Sequence, residues 1–473
     1  MSIIIPANSA AGGLGYQVAN GVRFDDGSSS NFSDGSAPGG NRQKFTWSAW
    51  VKRSSLSSIQ TLVSCSYSAN DQGFLIFSNG DKLSWESNNS GDGDLNTNKL
   101  FRDISAWYHI VFSVDTTQGT AANRIKLYIN GSQYVWDGNT TYPNQNQSLY
   151  FNVGGSYNTY IGRRAQGDYF DGYMSEIVFI NDAQLAADSF GEFDSDSGVW
   201  KPLESVEDLT FGTSGYYLNF QNSGALGTDV SGVGNSFTAN NLAAIDQTTD
   251  TCTNNFATLN PLYKQDGTFS EGNLAYTISA SDFDSALSTI APSSGKWYFE
   301  TKITAIADLT RNAFGICDVR DGNFFAEDEL GQNPSGRVGD SVGWAGNGVG
   351  NVLKNGSDQG SGFNITYGIN AILSCAVDLD NGAVYYRLNG GSWLNSGNPE
   401  SGASKTGAVT ITTGQEYVFG NTAYANSAFA MNFGNAPYTI SSGNADGNGY
   451  GNFEYAVPSS YYSLNTKNLA EYG

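Results

Sequence analysis

A two-residue rhythm constrains this chain more than any single motif. In FTWSAWVKR, Phe45, Trp47, Ala49 and Val51 fall on one side of an extended chain, and Thr46, Ser48, Trp50 and Lys52 on the other. Successive strand side chains point to opposite faces, so this run predicts a strand with one face in a core. WYHIVFSVD (107–115), RIKLYING (124–131) and KWYFETKIT (296–304) follow the same logic, and LAYTIS (274–279) reads as another strand. Asn130-Gly131 predicts a hairpin, because a type I′ turn needs positive φ at both central residues. Asn79-Gly80, Asn381-Gly382 and Asn389-Gly390 mark further tight turns, and ILSCAVDLDNGAVYYRLNGGSW (372–393) reads as a complete hairpin. A short helical turn is expected at DAQLAADSFG (182–191).

Composition agrees with this rhythm. Gly is high at 58 of 473 residues, and charged residues make up 14%, against a usual share of about 25%. Runs of Ala, Glu, Lys and Leu that would build long helices are missing. The expected fold class is all-β, with two antiparallel β-sandwiches joined by an extended irregular connector. The expected domains are 1–200 (with 1–20 as an anchoring segment), the connector 201–270, and 271–473 with its tail.

The net charge is −22, which argues against a nucleic-acid partner and against an anionic membrane surface. No stretch approaches about 18 consecutive apolar residues, so no membrane insertion is expected. MSIIIPANSA has a three-residue apolar run and no basic start, so no signal peptide is expected and synthesis in a cytoplasm is. Cys65, Cys252, Cys317 and Cys375 are not spaced as CxxC, so a zinc or redox site is not expected. Cys317 and Cys375 lie in apolar runs and read as buried free thiols; a disulfide between them does not follow from sequence.

Catalytic motifs are weak. A pair of carboxylates alternating on one strand would place both on one face, as glycoside hydrolysis requires. The acidic runs FFAEDELGQ (324–332) and GEFDSDSG (191–198) have loop composition instead. His109, the single histidine, sits mid-strand and reads as structural. The expectation is no catalytic residues and no enzyme. DGDLNTNKLFRD (92–103) spaces Asp92, Asp94, Asn96 and Asp103 somewhat like an EF-hand loop, but Thr97 stands where Gly is required. No metal ligands are assigned.

Sugars offer C–H faces to aromatic rings and hydroxyls to Asn and Asp. Trp136, with Asp137, Asn139 and Tyr142, lies just past the Asn130-Gly131 hairpin; Trp85 precedes ESNNSGDGD; Trp393 follows an Asn-Gly turn. These six residues are the candidate carbohydrate contacts. The competing expectation is that each tryptophan plugs a sandwich end or a subunit interface. Phe324 and Phe325 read as interface residues.

The runs FTWSAWVKR, WYHIVFSVD, IKLYING and IGRRAQGDYFDGYMSEIVFIND resemble, in order, the laminin-G-like (concanavalin A-like) family. SGKWYFETKIT and AVDLDNGAVYYRLNG resemble the SPRY (B30.2-like) family. The order of the two modules is similar to a family of bacteriophage virion surface and tail-fibre proteins. That resemblance implies a non-enzymatic fibre or knob on the virion, contacting host-surface glycans, partnered by other tail or capsid proteins and assembled as a homotrimer. A purely structural capsid decoration or head fibre is the alternative, and a glycan-degrading enzyme on a concanavalin A-like fold the second. The laminin-G-like resemblance also admits Ca²⁺ on rim loops; no other cofactor is expected.

Overall fold

A computed structural model describes residues 15–35, 38–88, 91–263, 266–307, 311–320, 329–332, 339–346 and 350–473. The chain is all-β, and its described part divides into two compact units, one ending at Asn254 and one beginning at Asn255. Phe324, Phe325, most of FFAEDELGQ and most of the segment 1–20 lie outside the described residues.

The first unit is a sandwich of two antiparallel sheets. In the back sheet the strands run Ser132–Tyr134, Ile125–Ile129, Tyr108–Asp115, Lys44–Arg53, Gly172–Asn181, Gly21–Phe24, Gln247–Thr248. Tyr216–Leu218 shares an edge of Gly172–Asn181 with Gly21–Phe24. The front sheet runs Thr140–Thr141, Gly93–Leu100, Lys82–Ser87, Gln72–Phe77, Gln60–Ser66, Asn158–Ile161, Asn31–Ser33, Thr238–Asn240. Phe45, Trp47, Ala49 and Val51 meet Leu75, Phe77, Leu83 and Leu95 in the core between them. Asn130 (φ 47°) and Gly131 (φ 80°) make the expected hairpin turn.

The alternate face of Lys44–Arg53 is buried too, contrary to a strand with one face in a core. The segment after Asn181 folds over it. Thr46 Oγ1 donates to the Ala183 carbonyl at 2.8 Å and accepts the Leu185 amide at 2.9 Å. Lys52 pairs with Asp250 at 2.8 Å. Residues that read as solvent-facing are therefore anchors, each satisfied by a distant partner, as burial of polar groups requires. The expected helical turn is a single 3₁₀ turn, Ala187–Ser189.

The boundary between units falls inside the segment 201–270 expected as a connector. Up to Asn254 that segment builds the first sandwich, adding Tyr216–Leu218 and Gln247–Thr248 to the back sheet and Thr238–Asn240 to the front. Strands of two or three residues are too short to show a period. Side chains hold the rest: Asp229 accepts the amides of Tyr217, Ser231, Gly234 and Asn235.

The second unit is also a two-sheet sandwich. One sheet runs Thr268–Ser270, Ala275–Ile278, Ser427–Asn432, Lys296–Ala305, Ile372–Asp378, Ala383–Leu388, Val409–Thr410; the other runs Phe283–Leu287, Tyr417–Tyr424, Ala313–Asp318, Ser341–Ala345, Val352–Lys354, Ser357–Asp358. The expected 372–388 hairpin is present, with Asp378 opposite Ala383. Cys317 and Cys375 are buried free thiols in different apolar clusters.

Candidate functional site

The surface best suited to a ligand lies on two loops of the first unit. The turn Tyr67–Asp71 joins Gln60–Ser66 to Gln72–Phe77 and is closed by the Ser68 hydroxyl donating to Asp71 at 2.9 Å. Facing it is the loop 149–157, which turns through Gly154 (φ 72°) and Gly155 (φ 67°), a left-handed pair that side chains disfavour. Three tyrosines line up across these loops. Tyr67 and Tyr157 have ring centroids 5.6 Å apart, and Tyr157 and Tyr150 5.8 Å. The Arg42 guanidinium stands 5.4 Å over the Tyr150 ring. Tyr67 is 64% exposed, more than all but one of the large hydrophobic side chains described.

Beneath the loops a cavity of about 200 Å³ enters between the two sheets. Its lining combines polar residues such as Asp34, Thr159 and Asn235 with Phe151, Phe179 and Phe237. Asp34 accepts the Thr159 amide at 2.9 Å. Cys65 lies on the wall, and burial pushes its thiol up to about 11. Ser214 and Tyr216 also line the cavity, and neither buried hydroxyl has a hydrogen-bond partner. The Trp47 indole N–H neighbours the Tyr216 hydroxyl without meeting hydrogen-bond geometry and is itself unpartnered.

The six expected sugar contacts are not brought together. Trp85 and Trp136 are buried in the core, so neither presents a ring to solvent, which corrects the reading of both as contacts. Trp85 packs against Phe112. Tyr142 is half-buried against the same core. Asp137 and Asn139 are exposed but committed: Asp137 accepts the Asn98 amide and the Tyr134 hydroxyl, which hold its carboxyl below the usual range, and Asn139 donates to Asp94. Trp393, in the second unit, is half-buried, with Arg387 4.6 Å over one face of its ring. Tyr67, Tyr150 and Tyr157 are not among the six expected contacts, which centre on tryptophan. Tyrosines abutting the runs SAND and GGS were the available signal.

The EF-hand-like spacing does not form a loop. Asp94 and Asn96 occupy alternate positions of the strand Gly93–Leu100. Three other carboxylates converge instead. Pairing of Phe24 with Gly172 brings Asp25 and Asp26 beside Asp171, with one oxygen of each within 4.8 Å of the others. Burial first, and the Asp25 charge second, raise the Asp26 carboxyl. Oxygen donors of this kind suit a hard cation such as Ca²⁺. The partners are too distant in sequence for a motif to show.

Residues 25–188 match the model of the concanavalin A-like lectin/glucanases superfamily. The first sandwich is concanavalin A-like over that span. No curated protein matches the chain. Among solved structures, the SPRY domain of human HERC1 is similar at 10% identity, covering 37% of this chain and 96% of that one, with a TM-score of 0.28. A heptameric SAP-like pentraxin from Limulus polyphemus matches at 17% identity, over 36% of this chain and 75% of that one, with a TM-score of 0.25. Domain 4 of an extracellular arabinanase from Geobacillus stearothermophilus, in complex with arabinotriose, matches at 21% identity, over 35% and 68%, with a TM-score of 0.23.

Proposed function

We propose that this chain is a non-enzymatic bacteriophage virion protein, a short fibre or knob that contacts host-surface glycans through the row Tyr67, Tyr157 and Tyr150. The observation that carries the glycan contact is that row: ring faces on rim loops of a concanavalin A-like sandwich, beside Asn70, Asp71 and Arg42. Rings of this kind stack on sugar C–H faces, while the neighbouring amide and carboxylate take hydroxyls. The virion setting rests on the module order in the sequence and carries with it display on the particle, tail or capsid partners and a homotrimer.

Two measurements test the reading. Imaging of intact particles with an antibody to this chain should place it on the tail or the head. Purified protein should bind host cells or their surface polysaccharide, and Tyr67→Ala with Tyr157→Ala should weaken that binding by about tenfold or more. Particle binding without any host binding would leave a purely structural decoration.

A further inference from the structure

We propose that Lys52 and Asp250 join their side chains in an intramolecular amide bond, a covalent clasp within the first unit. The proposal does not rest on the glycan reading. Lys52 Nζ donates to Asp250 Oδ2 at 2.8 Å, and both side chains are 1% exposed. Lys44, Lys201, Lys296 and Lys354 also pair with aspartates, but these lysines are 24–39% exposed. Arg53 and Asp81 are as deeply buried as Lys52 and Asp250, yet a guanidinium is not a nucleophilic amine. The backbone fixes both partners. Lys52 lies in Lys44–Arg53 opposite Tyr173, whose ring centroid is 5.2 Å from Nζ. The Asp250 amide donates to Thr248 Oγ1 at 3.0 Å, Thr248 pairs with Gly21, and Thr251 Oγ1 donates to the Val18 carbonyl at 3.1 Å. The Trp107 indole N–H donates to Asp250 Oδ1 at 3.2 Å. Trp107 and Tyr173 belong, with Trp50, to one buried aromatic cluster.

Two opposite charges are costly to hold in so dry a place, and an amide removes both. The step begins as the ammonium proton passes along the hydrogen bond to Oδ2, which leaves an amine and a carboxylic acid. The nitrogen lone pair attacks Cγ, and the carbonyl electron pair moves onto Oδ1. The Trp107 N–H is placed to stabilise the charge that develops on that oxygen. A second nitrogen proton then passes to the Oδ2 hydroxyl. The bond from Cγ to Oδ2 breaks, the pair on Oδ1 re-forms the carbonyl, and one water leaves. No oxidant, metal or co-reactant is consumed. The two residues are 198 positions apart, so the bond closes most of the first unit into one ring. It would tie the segment that ends the unit to a central strand of the back sheet, where hydrogen bonding alone offers only the two-residue strand Gln247–Thr248.

Mass spectrometry tests the bond directly. The purified full chain is denatured and weighed intact, then digested and searched for a branched peptide that joins Lys52 to Asp250. Lys52→Arg serves as the control, since it keeps a cation beside Asp250 and offers no amine. Most wild-type molecules should be lighter than their sequence by the mass of one water and yield the branched peptide. Lys52→Arg should show the full mass of its sequence and no branched peptide. Wild-type protein at full mass, with Lys52 and Asp250 recovered in separate unmodified peptides, would overturn the proposal and leave a buried ion pair only. A loss of water that persists in Lys52→Arg, with no branched peptide in either protein, would place the dehydration elsewhere in the chain and overturn it as well. The wild-type digest decides the matter even if the variant fails to fold.

Discussion

The indole N–H of Trp200 donates to Nδ1 of His109 at 3.0 Å, across 91 residues of sequence. An acceptor at Nδ1 places the ring proton on Nε2, where it reaches Ser48 Oγ at 2.9 Å. The ring lies between Trp50, with centroids 4.7 Å apart, and Trp200, at 5.9 Å. The single histidine is thus a structural plug on the covered face of the back sheet, as its place in the sequence suggested.

Burial pushes His109 down to about 3 from its ordinary 6.5. The unfolded chain protonates this ring below about pH 6.5 and the folded chain does not until about pH 3. Its contribution is therefore complete above 6.5 and is lost as pH falls toward 3. The difference amounts to about 5 kcal/mol at the acid end. A His109→Gln variant, whatever its stability at neutral pH, should lose less stability than the wild type between pH 6.5 and 4, measured by denaturant melts at each pH. Parallel curves would refute a buried neutral histidine.

Glu176 imposes the opposite slope. It sits at a bulge in Gly172–Asn181, with φ at 51°, and accepts the Tyr217 hydroxyl at 2.5 Å. Burial raises its carboxyl to about 7, against the lowering effect of the hydrogen bonds from Tyr217 and Tyr16. A raised carboxyl contributes fully below the ordinary 4.5 and loses that contribution as pH rises through 7. Glu176→Gln should therefore gain up to about 3 kcal/mol relative to wild type on going from pH 4.5 to 8. A gain that runs the other way with pH would mean the carboxylate is ionised in the fold.

What the sequence revealed of this fold follows from the range of its signals. Alternation is local, so Phe45, Trp47, Ala49 and Val51 could be assigned to a core without knowing any partner. Thr46 and Lys52 could not, since their partners Ala183 and Asp250 are reached only through the fold. The same limit misplaced two candidate contacts. Trp85 alternates with Ser84 and Glu86, a local signal that it points inward, but its neighbouring polar run read as a loop. Trp136 lies outside any strand, and only the closed sandwich shows it buried. The tyrosine row and the cavity depend on loops at 67–71 and 149–157 and on Tyr216, three segments that no spacing rule connects.

In the second unit, Glu300 holds the C-terminal segment against its sheet. The carboxylate is fully buried on the strand Lys296–Ala305 and accepts the amides of Glu454 at 2.9 Å and Tyr455 at 3.0 Å, and the Tyr298 hydroxyl at 2.7 Å. Glu300→Gln turns one acceptor oxygen into a donor facing those donors. The cost should be about 1–3 kcal/mol. Hydrogen exchange should speed up at the 454 and 455 amides before the rest of the unit responds. Uniform acceleration across the sandwich would mean the segment is not separately held by this residue.

The enzyme alternative turns on one pair of carboxyls. Glu86 and Asp94 are cross-strand partners in the front sheet, on the face opposite Trp85 and Leu95, the one place in that sheet where two acidic residues pair in register among the described residues. Retaining glycosidases hold such carboxyls about 5–5.5 Å apart, with one protonated as the acid. Here Asp94 is already committed to the Asn139 amide, and both carboxyls are half-buried on the face away from the core. Wild-type protein incubated with host polysaccharide should release no more reducing ends than buffer, and Glu86→Gln should bind glycan as the wild type does. Release of reducing ends that Glu86→Gln abolishes would replace the attachment reading with hydrolysis at this pair.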